Sequence, residues 1–361
     1  MSPEKQEVAR RRLSLGITNV GFWVLSAVIV LFWIVRGEST ELDLARIGIV
    51  AAVAVAAQLG FDVVGGALFV PAPRPAVSIF LWRLIPRVLA HTLVLACVGL
   101  VSYASFQLTG GFCSGIGVSM AALAMGRQSL LRAIGGVSTR ALYAGKATSL
   151  AVTGASDAFT GGITGFGHHA RSVLPAQWLT SLPKDQLAAE SSRRQWQVEQ
   201  GLPARVFILV LLWNLLGASI GSRGYGLSTR TPAEALLGYA CWMTIWAFIG
   251  LLLLPTLSRS AVFAADRFAA DAGHDPRSWI SHFPEVTGED GSSRSAIQAI
   301  FYPIPSAAFR LQRLEQPHSG IVLGNLARSN LYLSMATLTL LGRAVHCNVG
   351  QPALWVFPPS A

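Results

Sequence analysis

Apolar and polar positions are distributed along this chain in long blocks. Five apolar runs stand out, at residues 17–35, 47–70, 88–108, 206–221 and 235–257. Crossing a bilayer as a helix takes roughly 20 apolar residues, so each run predicts a transmembrane helix. Asp62 is the point at which the second could break. A shorter run, 112–125, is rich in Gly and Ala. It reads either as a sixth span packed closely on its neighbours or as a re-entrant piece. Polar segments fill the rest, and one of them, SLPKDQLAAESSRRQWQVEQG at 181–201, predicts a polar helix running straight into VFILVLLWNLLGASI. Near the end, YLSMATLTLLG is too short to span and reads as buried helix. No internal repeat is visible.

Composition strengthens this picture. Of 361 residues, 52% are hydrophobic and only 13% charged, against about 25% charged in ordinary soluble domains. A net charge of +10 in so apolar a chain is better explained by basic loops retained on the cytoplasmic side than by nucleic acid. Arg10, Arg11 and Arg12 place the start of the first span in the cytoplasm. The acidic GESTELD loop then faces outward, and Arg74, Arg83 and Arg87 mark the return. With 112–125 crossing, residues 127–205 are cytoplasmic, in keeping with their nine Lys/Arg against four Asp/Glu. Arg223 and Arg230, in a short outer loop, run against the rule. The N-terminus resembles a signal n-region, but the run behind it is span-length and lacks a cleavage site. An uncleaved anchor in a bacterial-type inner membrane is expected. The organisation is therefore 1–126 membrane region, 127–204 soluble block, 205–257 two-span hairpin, and 258–361 second soluble block with a C-terminal tail.

Little of the usual site chemistry is present. Cys97, Cys113, Cys241 and Cys347 have no CxxC spacing, so neither a disulfide framework nor a zinc knuckle is indicated. GGITGFG at 161–167 lacks the lysine of a phosphate loop and reads as strand and turn. GFCSGIG does not match a nucleophile elbow. His168 and His169, on a strand, would point to opposite faces and could not share an ion. Asp266, Asp271, His274 and Asp275 cluster in sequence, but DAGHDP reads as a helix end with a turn. His91 and Asp62 are ionisable groups within apolar runs and therefore functional candidates. For His91, a hydrogen-bonded place in the bundle is the plainer reading than a proton relay.

Three motifs in this order, around a two-span hairpin, carry a resemblance. They are SDAFTGGI at 156–163, LTSLPKDQLAAESSRRQWQVEQG ending at Gly201, and LSRSAVFAADRFAADAGHDP from 257. Pro305, Arg310, Leu311 and Leu314 add a weaker echo. Together, over roughly 121–316, they resemble the HtpX-type integral-membrane zinc metallopeptidases, relatives of the CaaX prenyl protease. The resemblance implies several spans with a small cytoplasmic α+β metallopeptidase-like domain. In such enzymes the two His of H-E-x-x-H bind Zn²⁺ and the Glu is general base. Carried onto this chain, those positions hold Arg193, Arg194 and Gln197, and the third-ligand position holds Val262. A guanidinium has no lone pair to donate and repels a cation. Zinc and hydrolysis are therefore not expected.

The former cleft would comprise Asp157, Glu190, Arg193, Arg194, Gln197, Arg259 and Asp266. Its arginines have two readings. The preferred one makes them solvated or ion-paired helix residues at the membrane surface, near anionic headgroups. The sharper one has them fill the vacated metal position as fixed cations that tie the two soluble blocks together. The expectation is a catalytically inactive homologue acting as a binding or structural subunit. Its partners would be membrane lipids and other membrane proteins, with no nucleic acid. An active peptidase with displaced ligands, and a transporter or channel component, are the rival classes. Against the latter, no matched broken helices are seen.

Overall fold

A computed structural model describes residues 3–36, 43–144, 147–227, 230–287, 302, 304–316 and 320–359. The expected acidic loop lies outside the described residues, except for Asp43. Helix α1 (Pro3–Val35) is followed by α2 (Leu44–Val63), whose N-terminus Asp43 caps by accepting from the Arg46 amide. The chain passes through Asp62 without a break and widens into a π-helical turn at Val64–Leu68. Then come α3 (Val77–Thr109) and α4 (Cys113–Ala133). A four-stranded sheet follows, with β1 (Ser138–Ala144), β2 (Ala147–Thr153), β3 (Gly162–Thr164) and β4 (Arg171–Pro175) in the order β1-β2-β4-β3. β2 and β4 are parallel and the other pairs antiparallel. The short α5 (Trp178–Ser181) leads to α6 (Lys184–Glu199), the predicted polar helix. α7 (Leu202–Gly224) and α8 (Pro232–Asp271) form the hairpin. α9 (Pro276–Thr287), α10 (Ala307–Leu314), α11 (Leu326–Leu333), α12 (Leu341–Ala344) and α13 (Pro352–Val356) complete the described chain.

α1, α2 with its π turn, α3, α7 and α8 are long and apolar enough to cross a membrane. These are the five expected runs, four of them within longer helices and the second ending at Leu68 rather than at 70. α8 begins in a capping box, Thr231 with Glu234, and continues for 40 residues, or about 60 Å. The expected boundary at 257 therefore falls inside a continuous helix. α4 is helical from Cys113 but is not among the five. Its Ser and Gly lower its hydropathy, and it pairs with α3 across the short connection 110–112 and with α7. In the hairpin, Gly217 and Gly221 leave room for Trp246 and Trp242. A Cβ at either glycine would meet the indole within 2.4 or 2.1 Å.

The second block is not a separate soluble unit after residue 320. Apolar side chains of 326–357 are buried against α1, α3, α4, α7 and α8. YLSMATLTLLG is buried, as expected, but it is not one helix: α11 ends at Leu333, a 3-10 turn covers Ser334–Thr337 and α12 starts only at Leu341, and its partners are the long apolar helices. Polar anchors hold the segment there. Arg343 pairs with Asp62, whose Oδ1 also accepts from the Gly350 amide at 2.8 Å. Arg12 donates to the carbonyls of His346, Cys347 and Val349 at 3.0–3.3 Å. Tyr332 donates to the Leu123 carbonyl at 2.6 Å. His91 is buried, edge-on to Trp355 and 3.5 Å from Arg343 Nη1, a place in the bundle as the plainer reading has it. Gly350 has φ +69°, and a Cβ there would strike the Asp62 carbonyl at 2.3 Å.

Candidate functional site

α6 reads as a polar surface helix, yet it buries Gln186, Ala189, Glu190, Arg193 and Arg194. Those positions follow the i, i+3, i+4, i+7, i+8 stripe by which a helix presents one face to a core. The stripe faces α8, which presents Val262, Asp266 and Ala269 among its buried residues. Pro183 and Asp185 favour the start of α6, and Gly201 at φ +64° turns the chain into α7.

Where the stripe meets α8, two carboxylates and three guanidinium groups interlock. Glu190 accepts from Arg194 Nε at 2.6 Å and pairs with Arg193. Trp279 Nε1 donates to the same carboxylate at 2.9 Å. Arg193 Nε approaches Asp266 at 2.7 Å. Arg310, from α10, donates to both Asp266 oxygens at 2.8 Å, the bidentate geometry that makes such pairs strong. Arg194 also donates to the carbonyls of Val173 and of Thr160, the latter at 2.6 Å, and so reaches the sheet. All five charged side chains are at most 3% exposed. Trp178, Val262, Trp279, Phe283 and Ile304 are packed together alongside.

The charges tune one another. Burial alone would raise the Glu190 carboxyl, but Arg194 and Arg193 outweigh it and hold it below the usual carboxylate range. Burial would likewise lower Arg193, yet Asp266 and Glu190 leave it above its ordinary value. Arg194 ends lower than usual, because burial exceeds what Glu190 returns. With two carboxylates facing three guanidinium groups, the cluster is an ionic centre with one formal positive charge in excess.

The arginines are thus ion-paired helix residues, as one reading has it, but buried rather than solvated at a surface. Arg193 and Arg194 are inside; Arg193 joins α6 to Asp266 beyond 258, while Arg194 ties α6 to the Thr160 and Val173 carbonyls within 127–204. Glu190 and Asp266 belong to this centre as expected. Gln197 is half-buried one turn further along α6, and Val262 lies in the apolar wall. Arg259 is half-buried on α8, while Asp157 is exposed in a turn. His168 and His169 are on an exposed 3-10 turn rather than a strand, with rings 3.9 Å apart. Asp271 pairs with Arg267 at the surface, and Asp275 accepts from the Arg277 amide.

Among the described residues, no group of three or more His, Cys, Asp and Glu side chains is gathered to hold a metal. Arg193, Arg194, Gln197 and Val262 do not make a zinc donor set, since the two guanidinium groups and the valine have no lone pair to offer. No model of a known protein family matches this chain, and no curated protein matches it.

Nothing in the sequence points to Trp279, and Arg310 belongs only to the weakest motif. Arg127 counts in the sequence only toward the basic charge of 127–205. It donates to the Ile163 carbonyl of β3 at 3.1 Å and to the Val356 carbonyl at 3.0 Å, clamping the C-terminal segment to that edge strand. Its guanidinium is 3.9 Å from the centre of the Phe357 ring. Burial pushes it down to about 10, still charged at neutral pH.

Proposed function

We propose that the chain is an integral-membrane pseudoprotease of the HtpX type, acting by binding rather than hydrolysis as a structural subunit or assembly factor. The observation that carries this reading is the ionic centre. Arg193 and Arg194, at the positions where the resembling enzymes carry a ligand and the general base, are committed to Glu190, Asp266 and backbone carbonyls. Opening those contacts to admit a cation would strand buried charges, at a cost of several kcal/mol. The edge strand supports the same reading. In the enzymes it resembles, a substrate would lie along that edge, and here Arg127 bridges Ile163 to the chain's own tail. The basic N-terminal turn and the basic 127–205 segment favour a cytoplasmic placement of the sheet in a bacterial-type inner membrane.

The deciding experiment is metal analysis and proteolysis on the purified full chain in mild detergent, with a native pull-down alongside. Substoichiometric zinc, no chelator-sensitive cleavage of an unfolded membrane-tethered substrate, and a stoichiometric membrane-protein partner are expected. Zinc near one equivalent with chelator-sensitive cleavage would overturn the proposal.

A further inference from the structure

A cavity of about 100 Å³ lies beside the ionic centre, where β3, the end of α6, the first turns of α7 and one face of α11 meet. Its charged lining residues are Arg127, Arg194 and Arg328, and no carboxylate is among the described residues that line it. Gln197, Asn325 and Ser329 add hydrogen-bonding groups. Arg328 is only 4% exposed, and its Nη1 lies 3.5 Å from the sulfur of Cys347, with which it also lines a second, smaller cavity. Its Nε and Nη2 are buried with no hydrogen-bond partner among the described residues. A buried guanidinium left in that state costs free energy unless something accepts from it. The opposite wall is apolar, formed by Phe166, Val206 and Phe207. From it, α7 presents Ile208, Leu212, Leu216 and Ile220 as an exposed apolar stripe at four-residue spacing.

The geometry points to a binding site for one anionic phospholipid, with its phosphate in the cavity and its acyl chain along α7. A cation-lined polar pocket at the end of a span-length helix, open to an apolar track, matches both halves of such a lipid. A free phosphate offers the first half only, and a zwitterionic lipid cancels its own charge. The inference does not depend on the pseudoprotease reading.

The full chain, purified in a neutral detergent, is titrated with dioctanoyl phosphatidylglycerol, dioctanoyl phosphatidylcholine and inorganic phosphate, and bound ligand is counted by native mass spectrometry. One phosphatidylglycerol is expected to bind about tenfold or more tighter than either alternative. Gln197→Glu, which places a negative charge at the cavity wall, should weaken it by about tenfold or more and leave phosphatidylcholine unaffected. Ser329→Glu makes the same reversal from α11 if the first variant does not fold. Equal binding of the two lipids, phosphate binding as tight as phosphatidylglycerol, or an unchanged affinity in the folded variant would each overturn the proposal.

Discussion

Two buried charged clusters hold this molecule together, and they are built differently. The one on α6, α8 and α10 has five members and closes on itself, with each carboxylate shared by two guanidinium groups. The one at Asp62 is a single pair with Arg343, trimmed by Gln58 and the Gly350 amide. The first joins segments on either side of the hairpin, and the second pins the C-terminal segment against the long apolar helices. Buried ion pairs add little net stability over a well-packed apolar replacement, but losing one partner is expensive. The shared centre therefore responds to a lost member according to how many partners it strands, while the single pair responds all or none.

The largest effect is expected for Asp266→Asn. It weakens the bidentate pair to Arg310 and the contact to Arg193 together, leaving Glu190 as the sole carboxylate for three guanidinium groups. A loss of about 3–5 kcal/mol, read by thermal or denaturant unfolding in detergent, is the expected result. A loss under about 1 kcal/mol would show that the shared centre is not structural. Asp62→Asn should cost about 3 kcal/mol or slightly more by stranding Arg343. Combining it with Arg343→Met should recover much of that loss, because both charges then leave the interior together. A double variant no more stable than the single would mean that the pair does not act as a unit.

Acid offers a finer probe. Glu190 is held below the ordinary glutamate pKa of about 4.3. Its contribution is therefore complete above that value and lost as pH falls through its lower folded pKa. Stability attributable to Glu190 should be flat from about pH 5 to 8 and decline below about pH 4. In Glu190→Gln this acid-dependent part should disappear, as a melting series against pH would reveal. The smallest effect belongs to the surface. Arg11→Ala breaks an exposed pair with Glu7 and should change stability by about 0.5 kcal/mol or less.

How far these two clusters can be read from sequence follows from how each is built. The five span-length helices are legible because an apolar run of that length has few other fates. The polar helix is legible from its composition and its Pro-Lys-Asp start, but its buried face is not. A stripe of Gln186, Glu190, Arg193 and Arg194 looks like solvated surface until the carboxylate of Asp266, one hairpin away, is seen opposite. Arg343 is harder still, since its partner lies 281 residues earlier and the flanking apolar stretches are too short to announce burial among the long helices. Asp157 is the reverse case: its place in a motif suggests the cleft, and the turn that holds it leaves it exposed.

The central claim, that α6 and α8 meet where a metal site would be and hold it shut with charge, is tested most directly by rebuilding that site. Arg193→His, Arg194→Glu, Gln197→His and Val262→Glu are introduced together, and zinc is measured per folded, purified chain. The account predicts close to one equivalent in the variant and far less in the parent protein. A folded variant without stoichiometric zinc, or a parent chain that already carries it, would contradict the account.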